Sequence, residues 1–311
     1  MGNWRNEATQ ARFVILGATG WIGRATLAWL FEVVGPGWRS KTECFGSSAR
    51  TVVAPDGGEI QIRDLKTLRG ADLDSAIVLH LSYLTKDKVG GMSDAAFVAA
   101  NLGIDETVLA ALRNSNPGGV FVASSGAARD VSTGSSRDPY GETKLLQEER
   151  FAKYAKDSAR PVLVGRVFNI AGPHINKMES YAISSFAVQG IKTGKIRIEA
   201  RTPVFRSFLH VNDLIDIVVA ELIAGQPTVA ATDLCGPEVL EMGDIALAVA
   251  RELGLPPSAI DRGSVDKSVS SSYVGDPLPA LAIAKRHGLA LKSFDVQVRD
   301  TVAFMRCELN T

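Results

Sequence analysis

Residues 13–16, Phe-Val-Ile-Leu, form a short apolar run that stops at Gly17. Gly20 and Gly23 follow at intervals of three, and then Leu27, Leu30 and Phe31 recur at helical spacing. That order reads as strand, glycine turn, helix. Glycine permits a tight turn and lets backbone N–H groups at a helix N-terminus approach a pyrophosphate with no Cβ in the way. With 29 glycines in 311 residues, the spacing alone says little. Its place between the first strand and an amphipathic helix is what gives it meaning. Gly17, Thr19, Gly20, Trp21, Ile22 and Gly23 are therefore candidate contacts to a dinucleotide.

The alternation continues along the chain. Apolar strand-like runs over 42–45, 59–62, 77–81 and 119–123 are interleaved with a helix over 95–112, and a charged helix running to 156 follows Pro139 before another strand at 162–167. Strands alternating with helices predict an α/β fold, a doubly wound parallel sheet covered on both faces. After Gly172 the rhythm changes to loops, a helix near 181–190, a strand at 195–199 and a Pro-, Gly- and Ser-rich stretch at 255–279. The expected division is a dinucleotide-binding domain over 1–171, with 205–236 returning to it, and a smaller C-terminal substrate lobe from 172–204 and 237–311.

Composition excludes several classes. Thirty-four basic residues balance thirty-four acidic ones, without the excess that nucleic-acid binding exploits. Cys44, Cys235 and Cys307 are scattered and odd in number, and His80, His174, His210 and His287 are isolated, so neither a disulfide framework nor a metal site is expected. No apolar run reaches bilayer length and no signal core precedes the first strand, which predicts a cytoplasmic protein without membrane attachment.

Tyr140 and Lys144 stand four apart at the start of a helix that Pro139 can open, so both project from one face. A tyrosine with an ordinary pKa near 10 is a poor base at neutral pH, but a neighbouring ammonium favours its phenolate. Ser125, just after a core strand, is placed to hydrogen-bond a reacting oxygen.

Taken with the glycine turn, these residues make the chain resemble the extended short-chain dehydrogenase/reductases, in the branch of nucleotide-sugar epimerases, dehydratases and reductases. The likeness includes Asp64-Leu65, His80-Leu81-Ser82, Asn101 with Val108-Leu109, Ser124-Ser125 and the run 140–144, Tyr-Gly-Glu-Thr-Lys. It continues through the run 166–169, Arg-Val-Phe-Asn, then Gly172-Pro173, and the run 206–214, which opens on Arg206-Ser207 and ends on Asp213-Leu214. The resemblance implies a Rossmann sheet, a nicotinamide cofactor, a nucleotide-sugar substrate and a homodimer. It assigns Tyr140 as acid/base. Lys144 both lowers the Tyr140 pKa and holds the nicotinamide ribose, and Ser125 contacts the reacting oxygen. Asp64, Leu65, Leu81, Ser82 and Asn101 become cofactor contacts, and Asn169 and Arg206 become diphosphate contacts. His174 is a candidate second acid, while His210 and Asp213 are expected to serve the fold.

The departures bear on the reaction. Dehydratases of this branch carry an Asp-Glu pair after the catalytic hydroxyl, where this chain has Gly126-Ala127. The combined 5-epimerase/4-reductases use a cysteine near the sugar, and none lies near these motifs. Arg129-Asp130 replaces the usual Tyr-Gly pair, ahead of a short loop to Tyr140. NAD-specific members end the second strand with a carboxylate. Here Gly46 is followed by Ser47, Ser48, Ala49 and Arg50, which suit a 2′-phosphate. NADP(H) is thus expected over NAD(H), and 4-ketosugar reduction over 4-epimerisation. A non-catalytic dinucleotide sensor is the alternative of another class.

Overall fold

The computed structural model describes residues 4–85, 91–225 and 230–309. The chain divides into two units, Met1–Val167 with Ile215–Asp233 and Ile283–Leu289, and Phe168–Leu214 with Leu234–Ala282 and Ala290–Thr311. The sequence reading placed the first boundary at 171 and the return at 205–236, a span that includes 226–229, outside the described residues.

The first unit opens with a helix α1 (Trp4–Gln10) and strand β1 (Arg12–Leu16). Then come α2 (Trp21–Val34), β2 (Thr42–Gly46), β3 (Arg50–Val53), β4 (Glu59–Asp64), α3 (Gly70–Leu73) and β5 (Ala76–His80). α4 (Asp94–Arg113), β6 (Gly119–Ser125), α5 (Gly126–Ser132), α6 (Pro139–Ser158) and β7 (Val162–Val167) complete the main run. With β11 (Thr232–Leu234) they build an eight-stranded sheet in the order β11-β7-β6-β5-β1-β2-β4-β3. β1 pairs in parallel with both β2 and β5, and β5, β6 and β7 continue in parallel.

Central strands of such a sheet are covered on both sides, which is why β1 and β5 are unbroken apolar runs and not alternating ones. Val14, Leu16, Val78, Val120, Val122 and Phe151 form one core with Leu109 and Leu112 of α4. Each such side chain contributes about 1.5–3 kcal/mol on burial.

The chain winds outward from β1 through β2 and β4, then returns to β5 on the other side of β1. That reversal leaves a crevice beyond the ends of β1 and β5, the position where open α/β sheets bind ligands. α4, by length and composition, is long and apolar enough to cross a membrane, the one such helix among the described residues. Here its Phe97, Val108, Leu109 and Leu112 are buried in the first unit.

Two elements depart from the sequence reading. β3 is an antiparallel edge strand on β4, so Arg50 opens a strand instead of standing in a loop. Between Ser125 and Tyr140 a helix, α5, replaces most of the expected loop. Ser125 is its N-cap, accepting a hydrogen bond from Ala127 N at 3.3 Å. Segment 283–289 joins the first unit because the Glu221 carboxylate takes Arg286 at 2.6 Å and His287 at 2.8 Å.

In the second unit, β8 (Asn169–Ala171) and β14 (Ser271–Tyr273) pair in parallel with β10 (Val204–His210), while β12 (Val239–Glu241) pairs with it antiparallel. Helices α7 (Ala182–Thr193), α9 (Met242–Leu253) and α11 (Phe294–Glu308) pack on one another.

Candidate active site

The glycine turn follows β1 directly. Gly17 has φ +98°, and a Cβ there would lie 2.8 Å from the Leu81 carbonyl carbon, so the turn and the chain leaving β5 press backbone to backbone. Leu81 N donates to Leu16 O at 2.8 Å and Gly17 N to Phe45 O at 2.8 Å, which locks the turn to both neighbouring strands. A Cβ on Gly23 would sit 2.4 Å from Gly17 O. Gly20 differs: a Cβ there would have only Gly17 O, at 3.5 Å. It is the N-cap of α2 and supplies no capping side chain, so the first turn of the helix, with Trp21 and Ile22, has no side-chain cap from that residue.

A cavity of about 410 Å³ opens above this turn, and Gly17, Thr19, Gly20, Ser47, Asp64, Leu65, Leu81 and Ser82 all line it. Asp64 also accepts Lys66 N at 2.9 Å, capping the short turn after β4. Arg50 donates to the Thr19 hydroxyl at 3.0 Å, placing a guanidinium at the rim. A cradle that a Cβ would fill at Gly17 and Gly23, and an uncapped helix end at Gly20, are features that fit a dinucleotide.

Asn101 turns its side chain to the chain itself. It is fully buried, its Oδ1 accepts Leu84 N at 2.8 Å, and its Nδ2 donates to Leu84 O and Phe97 O. It staples the segment after β5 in place.

Tyr140 sits half-buried in the first turn of α6, with Pro139 at its start and Asp138 as N-cap. Gly141 lets α5 close against α6, since a Cβ there would lie 2.6 Å from Ala127 O. Lys144, one turn on, is only 3% exposed. Its Nζ donates to Ala123 O at 2.7 Å and to Gln147 Oε1 at 2.9 Å.

Tyr83, which the sequence reading passed over, covers another side of Lys144. Its ring centroid is 3.5 Å from Lys144 Nζ, and its ring lies edge-on to Tyr140 at 5.6 Å. Tyr83 also lines the dinucleotide cavity. Burial pushes its phenol well above the ordinary tyrosine range, so it stays protonated. In this arrangement the Lys144 donors are turned towards Ala123, Gln147 and the Tyr83 face. Burial pushes Lys144 down to about 7, against the pull of Asp105 and Glu148.

Beside the lysine runs a chain of ion pairs. Glu148 holds Arg166 through three contacts, at 2.9, 3.2 and 2.7 Å, and accepts the Ser124 hydroxyl. Asp233 stands 3.9 Å from Arg166 and bonds Arg129. The Arg129 that replaces the family's usual residue is thus a structural cation.

Within the second unit, Arg206 is half-buried. It donates to Phe205 O at 2.8 Å, lies 6.0 Å from the Tyr273 ring and pairs with no carboxylate among the described residues. Burial without a counter-charge lowers its pKa. Asp213, the partner a scaffold role for Arg206 would require, instead takes Lys292 Nζ at 2.6 Å and Lys292 N at 2.7 Å. His210 Nε2 lies 3.3 Å from Asp300. Asn169 spends its Nδ2 on Ser207 O at 3.1 Å and Tyr273 O at 3.4 Å, so its donors are turned inward. His174 has φ +68° and packs against Phe304 at 5.4 Å.

The model of the NAD dependent epimerase/dehydratase family matches residues 13–229. The chain belongs to that family. UDP-glucuronic acid decarboxylase 3 of Arabidopsis thaliana is 26% identical over 92 residues, 30% of this chain, and the match spans 27% of that relative's length. Two solved structures share the fold across the chain. TunA, described as an NAD dependent NDP-hexosamine 5,6-dehydratase of tunicamycin biosynthesis, has a TM-score of 0.72 at 18% identity, covering 95% of this chain and 97% of that one. A UDP-galactose 4-epimerase has a TM-score of 0.70 at 21% identity, covering 96% and 99%. The mostly parallel sheet with helices on its flanks is Rossmann-like, as in these solved structures.

Proposed function

We propose that this family member is an NAD(P)-dependent oxidoreductase of a nucleoside-diphosphate sugar, and that it reduces a 4-ketosugar. The observation that carries the reading is Tyr140 one helical turn from the sealed ammonium of Lys144, close to a glycine-lined dinucleotide cradle. The named relatives act on UDP- and NDP-linked sugars, and the guanidinium of Arg206, which makes no ion pair among the described residues, offers the forked donors a diphosphate takes.

A bound nicotinamide would supply the hydride. Tyr140 hydrogen-bonds the sugar carbonyl oxygen and gives it a proton as negative charge develops there, and the Ser125 hydroxyl donates to the same oxygen. Lys144 favours the phenolate that Tyr140 becomes, acting through its charge. Reprotonation of that phenolate from solvent completes the cycle.

Two features favour reduction. The positions where dehydratases of this branch carry their Asp-Glu pair are Gly126 and Ala127, in the first turn of α5, and they offer no proton donor or acceptor. The end of β2 carries no carboxylate, and Arg50 at the rim suits a 2′-phosphate, so NADPH is the favoured reductant. The second reading is a 4-epimerase, a reaction within the family's description that the same Tyr140 and Lys144 serve.

The test offers UDP- and dTDP-linked 4-ketosugars with NADPH or NADH, and the corresponding 4-hydroxy sugars with NAD alone. Stoichiometric NADPH consumption with a single 4-hydroxy product supports the reductase. Interconversion of C4 epimers without net cofactor turnover establishes the epimerase instead.

A further inference from the structure

The buried ammonium of Lys144 needs a counter-charge, and no carboxylate among the described residues touches it. Taking a charge out of water costs several kcal/mol unless it is compensated. The charged and titratable groups around it come from every neighbouring element. They are Lys144, Glu148 and Tyr140 of α6, Asp105 of α4, His80 of β5 with Tyr83 after it, Arg166 of β7, Asp233 of β11 and Arg129 of α5. Arg129, Asp233, Arg166 and Glu148 already form their own chain of alternating sign and balance one another. Of the two carboxylates whose charge favours the Lys144 ammonium, Glu148 is bound to Arg166, which leaves Asp105 without a cation of its own among the described residues.

Lys144 and Asp105 are joined through one amide. Gln147 Nε2 donates to Asp105 Oδ1 at 2.6 Å, while Gln147 Oε1 accepts from Lys144 Nζ at 2.9 Å. A carboxylate has only acceptors, so it fixes the NH₂ end of the amide and turns the oxygen end to the lysine. His80 Nε2 lies 3.1 Å from the same Asp105 oxygen, and both side chains have 0% exposure. His80 Nδ1 is buried with no partner among the described residues. A proton there would be an orphaned donor, so the tautomer with its proton on Nε2 fits, donating to Asp105 Oδ1.

Resting on the proposed role of Lys144 beside Tyr140, we propose that Asp105 is a positioning residue. It orients the Gln147 amide and supplies the counter-charge that keeps Lys144 an ammonium during proton transfer at Tyr140.

The test reads the lysine directly. The full chain is labelled with ¹³C-lysine, and the Cε resonance of Lys144, assigned by its loss in Lys144→Met, is titrated with pH. Asp105→Asn keeps one oxygen for Gln147 and His80, puts an NH₂ in place of the other oxygen and removes the charge. The midpoint of Lys144 is expected to fall by about one pH unit. Asp105→Thr, smaller and also neutral, gives the same expected fall if the asparagine variant does not fold. Loss of packing alone would lower the melting temperature and leave the midpoint in place. An unmoved midpoint, with Lys144→Met inactive in turnover, overturns the role of Asp105 and leaves the proposed function standing. A Lys144→Met protein at full turnover overturns both.

Discussion

The Tyr83 ring rests on the Lys144 ammonium, 3.5 Å from centroid to Nζ. A desolvated cation over an aromatic face gains on the order of 2 kcal/mol, which is more than one unit of lysine pKa. The ring therefore helps the ammonium to survive burial. Tyr83→Leu should lower the titration midpoint of Lys144 by about one unit, whereas Tyr83→Phe keeps the π face and should leave it within a few tenths. Equal behaviour of the two variants in the lysine titration would remove the ring from the electrostatics of the site.

Much of this was legible in the sequence, and the rest was not for identifiable reasons. β1, the glycine turn and the Tyr140-Lys144 pair show themselves locally, through periodicity and fixed spacing. Asp105 left a fainter trace. With Asn101, Val108 and Leu112 it falls on the buried stripe of an otherwise apolar helix, and an acid on such a stripe is a signal that a count of isolated charges overlooks. Tyr83 had none, because its place over Lys144 depends on how the chain leaves β5. α5 was hidden because Ser125 and Gly126 look equally like a loop, and Arg50 looked like a loop cation because β3 gains its pairing only from β4. The partnership of Asp213 with Lys292 spans 79 residues and is tertiary by nature.

The glycines of the turn should separate by role. A Cβ on Gly20 meets nothing closer than 3.5 Å and its backbone, at φ −74°, suits any residue. Gly20→Leu should keep the melting temperature and lose at least 100-fold in dinucleotide affinity by calorimetry. Gly23→Ala drives a methyl to 2.4 Å from Gly17 O, so it should lower the melting temperature itself. Undiminished binding of both NAD(H) and NADP(H) by Gly20→Leu would place the cofactor elsewhere.

Arg50 sets cofactor choice in the proposed reading. Arg50→Ala removes one charge-assisted contact and should weaken NADPH by about 1.5–3 kcal/mol, with NADH hardly changed. Tighter binding of NADH than NADPH by the unaltered protein would withdraw the preference and favour the epimerase.

Arg206 makes one hydrogen bond, to its neighbour's carbonyl, and no ion pair among the described residues. Arg206→Ala should change stability by no more than about 1 kcal/mol and raise KM for a nucleotide sugar at least tenfold, with cofactor affinity unaltered. Lys292→Ala, which strips the buried Asp213 of its cation, should show the opposite pattern, a large loss of stability by about 3–5 kcal/mol. A large melting shift in Arg206→Ala with KM unchanged would make that arginine part of the scaffold.

The central claim is proton exchange at Tyr140, and rapid mixing of Tyr140→Phe with NADPH and a nucleotide-linked 4-ketosugar tests it most directly, by following nicotinamide absorbance in a single turnover. The substitution keeps the ring and deletes only the hydroxyl with its proton. The account predicts unchanged NADPH affinity and a fall in the hydride-transfer rate of at least 100-fold, the lower end of what a positioned acid contributes. A rate within a few-fold of the unaltered protein would contradict it and assign the proton to another group.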